Sequence, residues 1–174
     1  DGLTVRHPAR FVLIGSGKPE EGDLRPQLLD RFGLSVEVRT PEDLPTRVDV
    51  VRRRDAFERD PDGFRAQWEK EDARLRRRIT RAQGNLGDIV VGDAMLEKVS
   101  ALCLALGTDG LRGELTLMRA ARALAALEGD EAVDERHLRR LAAPALRHRL
   151  RRNPLDDAGS TTRVERAVAD LMGS

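Results

Sequence analysis

The apolar positions of the chain fall into three textures. Near the start, Phe11-Val-Leu-Ile-Gly15 is an unbroken apolar run closed by glycine, the pattern of a strand buried on both faces of a parallel sheet. Leu24 to Arg31 has helical spacing, with Leu24, Leu28 and Leu29 on one side and Gly33 where a helix C-cap would use it. Leu34-Ser-Val-Glu-Val38 alternates apolar and polar residues and reads as a second strand. Strand, helix and strand make one βαβ piece, too small to be a complete α/β domain.

The middle texture is charged. Thr40-Pro-Glu-Asp43 reads as a helix start, with a capping hydroxyl, an early proline and acids where the helix dipole favours them. Pro45 moves the boundary towards Leu44, and the helix runs through Val48 and Val51 to about Glu58. Asp60-Pro-Asp-Gly63 marks a turn, and from Phe64 a long helix carries a thin apolar stripe at Phe64, Trp68, Leu75 and Ile79. So narrow a stripe suits an arm or strut rather than a core element.

Beyond the Gly84 to Gly92 connection the chain becomes rich in Leu and Ala. Leu96, Val99, Leu102, Cys103 and Leu106 form one helical stripe, and Leu111, Leu115, Met118, Ala121 and Leu124 the next. Leu138, Leu141, Ala145 and Leu150 approximate a third, and Val164, Val168 and Leu171 supply a short last helix after the loop from Asn153 to Ser160. The stripes predict a bundle of three or four helices. The fold class is therefore α/β plus all-α, predominantly helical, with no internal repeat.

Composition agrees with helices. The 174 residues contain only four Phe and one Trp, so Leu, Val and Ala must build the core. Thirty-one basic and 30 acidic residues leave a net charge of +1, which gives no case for nucleic-acid or membrane binding. No apolar run approaches the roughly 20 residues that span a bilayer, and no signal-peptide pattern opens the chain, so a cytoplasmic location is expected. The chain starts at Asp1 rather than Met and is expected to be a fragment or a processed product. Cys103, between Leu102 and Leu104, reads as a buried inert thiol.

Candidate chemistry is sparse. Gly15-Ser-Gly-Lys18 suggests a phosphate loop, but no glycine sits five places before Gly17, and Pro19 replaces the magnesium-holding hydroxyl while removing a backbone donor. Glu20, Glu21 and Asp23 follow a predicted strand, where ligand loops occur, although a hydrated rim is the commoner use. His7, His137 and His148 have no zinc-ligand spacing and read as solvated; no resident metal is expected.

The stretch from Gly15 to Gly33, GSGKPEEGDLRPQLLDRFG, resembles the segment that follows the sensor-1 strand in AAA+ proteins. There, Asn-Pro-Glu-Glu-Gly leads into a helix ending Leu-Leu-Asp-Arg-Phe. The resemblance is specifically to the I subunit of magnesium chelatase. It continues through LSVEVRTPEDLPTRVDVVRRRDAF, LGTDGLRGELTLMRAARALAALEG and RHRLRRNPLDDAGS, and so covers nearly the whole chain.

The resemblance implies that residues 1–40 are the last part of a AAA+ αβα core, 41–90 a helical arm and 91–174 a helical lid. It implies that Arg31 is an arginine finger reaching the γ-phosphate held by a neighbouring subunit, where a forked cation suits spreading charge. Read without the resemblance, Arg31 would make a rim salt bridge with Asp30 or Glu37. Arg112, opening a lid helix, matches the sensor-2 arginine, and a cation at that positive helix end calls for an anion. Arg119 and Arg122 belong to a solvated or inter-domain face. Lys18 holds the sensor-1 position where the family has asparagine; lysine donates but has no acceptor for an attacking water.

A AAA+ subunit of this kind uses ATP and Mg2+ in a ring of its own copies, with a second AAA+ chelatase subunit and a porphyrin-binding catalytic subunit as partners. It couples ATP hydrolysis to Mg2+ insertion into protoporphyrin IX for (bacterio)chlorophyll synthesis. The nucleotide-binding half, with Walker A and Walker B, is expected to precede Asp1, so the isolated chain is not expected to hydrolyse ATP. Two alternatives stand beside this reading. A MoxR-type AAA+ chaperone shares the region from PEEG to LLDRF. A helical interaction module without enzymatic activity would instead use the arginines at 74 and 76–78, or those from Arg147 to Arg152.

Overall fold

The computed structural model describes residue 8 and residues 11–18, 25–150 and 159–173. His7, the acids Glu20, Glu21 and Asp23, Leu24, and most of the loop before Ser160 lie outside the described residues. The helices are α1 (Pro26–Leu29), α2 (Leu44–Arg59), α3 (Pro61–Asn85), α4 (Asp93–Leu106), α5 (Arg112–Glu128), α6 (Glu135–Leu146) and α7 (Ser160–Met172). A 3-10 turn, Arg147–Arg149, extends α6.

The core belongs to α4 to α7. Val99, Leu102, Cys103 and Leu106 of α4 are buried, as are Leu138, Ala142, Ala145 and Leu146 of α6 and Val164 and Val168 of α7. The central helix α5 departs from the sequence expectation. Its buried face is Gly113, Leu117, Ala121 and Ala125, while Leu111 and Leu115 are 72% and 45% exposed. Gly113, Ala121 and Ala125 let α4 and α6 approach closely around Leu117, and larger side chains at those three places would hold them apart. At Gly113 an added Cβ would sit 3.3 Å from both Cys103 Sγ and Leu146 Cδ2. Gly107 and Gly129 end α4 and α5 in the left-handed region, at φ 65° and 90°, where a side chain would be strained.

The arm is built differently. Asp43 caps α2 by accepting from the Thr46 N–H at 2.9 Å. The predicted turn at residues 60–63 is a sharper joint: Asp60 ends α2 and caps α3, accepting from the Gly63 N–H at 2.9 Å. Nothing in α2 is buried, and α3 buries only Ala82, near the end that packs on α5. Local pairs hold the hairpin, among them Arg53 to Asp49 at 2.7 Å and Phe57 edge-on to Phe64 at 5.8 Å.

Neither predicted strand forms among the described residues. Residues 11–18 and 34–40 have no ladder partner, and Val12, Ile14 and Val38 are about nine-tenths exposed, at 88%, 91% and 92%. A strand of the kind the apolar run predicts is satisfied by flanking strands, and the described residues supply none. Among the described residues the single bridge is an isolated parallel one, Val90 to Ala132.

Candidate functional site

The site is assembled where α6 ends. The last carbonyls of a helix have no partner within it and carry its negative end, so they attract donors and cations. Arg147 Nε donates to the Ala143 carbonyl at 3.3 Å, the Ser35 N–H to the Pro144 carbonyl at 2.8 Å, and Arg149 Nε to the Ala145 carbonyl at 3.1 Å. One of these three donors comes from far upstream. The end of α6 therefore straps residues 30–37 onto the bundle.

Arg149 is the centre of that attachment. Its side chain is only 4% exposed, and a charge so placed must be paired. One terminal nitrogen donates to the Asp30 carbonyl at 2.7 Å and to Asp30 Oδ1 at 2.5 Å. The other reaches the Phe32 carbonyl at 2.7 Å and Thr116 Oγ1 at 3.4 Å. With Nε on Ala145, the whole guanidinium fork is used. His148 adds a second bond, from Nε2–H to the same Phe32 carbonyl at 3.1 Å, and burial pushes its imidazole below the usual value. Arg147 pairs with Glu37 at 3.3 Å. Arg39, and then Arg147, hold the Glu37 carboxyl below its ordinary range.

Between the two clamped residues stands Arg31. It is exposed on the turn after α1 and has no ion-pair or hydrogen-bond partner for its guanidinium among the described residues. The salt bridge with Asp30 or Glu37 that sequence alone offered does not form, because Arg149 and Arg112 take Asp30 while Arg39 and Arg147 take Glu37. Arg112, in the first turn of α5, is more than half exposed and pairs with Asp30 Oδ2. One carboxylate thus joins the α5 start to the buried Arg149. Lys18 is exposed, has no partner among the described residues, and is not brought to this cluster by any contact.

Two sequence readings need correction. Neither His137 nor His148 is solvated: His148 is partly buried against the Phe32 carbonyl, and His137 is fully buried. It occupies the third position of α6, where its Nδ1 accepts from the Asp134 N–H at 3.0 Å while Asp134 caps the helix in return. The proton then sits on Nε2, which faces Asp130 at 3.1 Å. Glu128, Asp130 and His137 lie close enough to suggest a metal site. Arg140 already covers Glu128 at 2.6 Å, however, and Arg136 covers Asp130 at 2.8 Å, so the group reads as an ion network closing the α5–α6 corner. The second correction concerns the run from Arg147 to Arg152. Arg147 and Arg149 are spent on acids and carbonyls of the same chain and do not form a free basic face. Sequence reasoning missed Arg149; the available signal was cations one turn beyond a helix end.

A lid-type helical bundle in which α5 opens on an arginine, joined to an upstream turn bearing a free arginine, has the layout of a AAA+ C-terminal region, and residues 96–169 match the AAA lid domain family. Over 172 residues, 99% of the chain, it is 62% identical to the magnesium-chelatase 38 kDa subunit of Cereibacter sphaeroides, of which it covers 52%. It is 63% identical to the same subunit of Acidiphilium rubrum, again over 99% of the chain and 50% of that protein. A solved chain in the complex between subunits BchI and BchD of magnesium chelatase, from a cryo-EM reconstruction at 7.5 Å, is 57% identical. That match covers 88% of this chain and 48% of the solved one, with a TM-score of 0.31. The chain is therefore similar to magnesium-chelatase 38 kDa subunits along nearly its whole length, and it spans about half the length of the curated relatives it matches.

Proposed function

We propose that this chain is the finger-and-lid portion of a AAA+ ATPase subunit of magnesium chelatase. In the intact subunit, ATP hydrolysis would drive Mg2+ insertion into protoporphyrin IX on the path to (bacterio)chlorophyll. Residues 1–40 belong to the nucleotide-binding core, 41–90 to a projecting arm and 91–174 to the lid. The partners are further copies in a cytoplasmic ring, a second AAA+ chelatase subunit and a porphyrin-binding subunit that performs the metal insertion.

The observation that carries the reading is the state of Arg31: exposed, unpaired among the described residues, and borne on a turn fixed on both sides. An unpaired guanidinium on a held turn suits a cation offered to an external anion, and a neighbour's γ-phosphate is the anion the family reading supplies. Arg112 faces its own subunit's nucleotide in this scheme. Its pairing with Asp30 relieves the unfavourable meeting of a cation with the positive end of α5, and a phosphate would take over that role. Lys18 serves at most as a phosphate donor, since it offers no acceptor to the attacking water.

The test uses the full-length subunit that carries this chain. Arg31→Ala should lower kcat for ATP hydrolysis by about 1,000-fold or more, as removal of such fingers does, while nucleotide binding stays near the wild-type level. Mg2+ insertion, assayed with the two partner subunits and protoporphyrin IX, should fall with it. Wild-type hydrolysis by Arg31→Ala rings would refute the role given to Arg31. Vigorous hydrolysis with no porphyrin metallation by the wild-type complex would favour a chaperone instead.

A further inference from the structure

We infer that Arg149 is the positioning residue for Arg31, and that the turn bearing Arg31 moves as one piece with the lid. The inference rests on the reading of Arg31 as a finger acting on a neighbour's nucleotide. It assigns a task to a side chain that reading does not use.

Little local structure could aim Arg31. The preceding helix α1 has four residues, and residues 34–40 have no regular structure. The turn itself is closed by two backbone bonds, Arg31 N–H to the Leu28 carbonyl and Phe32 N–H to the Leu29 carbonyl, each 3.0 Å. Its orientation comes from Arg149, which holds the carbonyls on either side of Arg31, at Asp30 and Phe32, with two nitrogens of one rigid plane. Such a fork fixes direction as well as distance, which a point charge on a flexible stem does not. His148, Ser35 and Glu37 add bonds to the same end of α6, so every tie from residues 30–37 that reaches this helix end moves when it moves. A change in lid angle on nucleotide binding would then shift the arginine shown to the next subunit.

Arg149→Lys tests this in rings of the full-length subunit, because lysine keeps the charge and loses the fork. Misplacement of a reacting group by about 1 Å costs on the order of 100-fold, so kcat should fall by about 10- to 100-fold with KM for ATP little changed. The distinguishing readout is complementation. Arg149→Lys subunits with a working phosphate loop should regain hydrolysis beside neighbours whose Arg31 and Arg149 are intact but whose phosphate loop is inactivated. A lid that merely fits its own nucleotide badly would not be rescued by a neighbour. Glu37→Gln, at a half-exposed side chain, loosens the same strap without touching the buried guanidinium and should give a smaller kcat loss with the same rescue. It decides the matter alone if Arg149→Lys fails to fold. Wild-type kcat in the folded variants, or a loss that neighbours do not rescue although Arg31→Ala is rescued in parallel rings, overturns the inference. Failure to rescue Arg31→Ala itself overturns the finger reading instead.

Discussion

Cys103 shows how position alone sets the behaviour of a side chain. It is 1% exposed beside Leu102 and Leu106 on the inner face of α4, and its thiol is pushed up to about 11, first by burial and then by the charge of Glu114. The unfolded thiol releases its proton near pH 8.5, while the folded one keeps it until about 11. The group's contribution to stability is therefore complete below the unfolded value and declines as pH rises through the interval up to the folded one. Thermal melts of the wild type should lose Tm across that interval more steeply than melts of Cys103→Ala; parallel curves would show the thiol to be solvated. This burial was legible from the sequence because the neighbours at Leu102 and Leu106 share its stripe. His137 was not, since its inward bend depends on Asp134 being the cap of α6. Arg149 was still less legible: its acceptors at Asp30 and Phe32 lie 119 and 117 residues away in the chain.

Among the helices, legibility followed the number of buried faces. The α4 stripe was readable because one face is buried and the other is not, and the two leucines on either side of Cys103 make that contrast testable. Leu102 is 0% exposed and Leu104 is 79% exposed. Leu102→Ala should cost about 2 to 5 kcal/mol by urea denaturation, through lost burial and a residual cavity. Leu104→Ala should stay within about half a kcal/mol of the wild type. Equal effects would mean that the helix is rotated from the orientation described. The α5 face was misread for a related reason. A helix packed by α3, α4 and α6 can bury alanine and glycine as its contact surface, so its largest leucines need not point inward. The βαβ reading failed at a different step, because an apolar run specifies a strand only where neighbouring strands complete its ladder.

Taken as a whole, the molecule joins a packed bundle to a hairpin arm, and the two should differ in local stability. Helix α2 has no buried residue and packs chiefly on α3, while α3 reaches the bundle through the end that carries Ala82. Opening α2 exposes almost no apolar surface that is not already in water, so its free-energy cost is small. Opening α5 disrupts contacts with α3, α4 and α6 at once and approaches the cost of global unfolding. Hydrogen exchange on this chain should therefore release α2 amides first, the free half of α3 next, and the amides of α4, α5 and α6 last. Residues 30–37 supply the sharper check, because irregular structure on its own would exchange quickly. The Ser35 N–H, bonded to the Pro144 carbonyl, should nonetheless be protected well beyond the neighbouring Val36 and Val38 amides. If Ser35 exchanges as fast as they do while α6 remains protected, the strap is not held in solution and the turn bearing Arg31 is not carried by the lid.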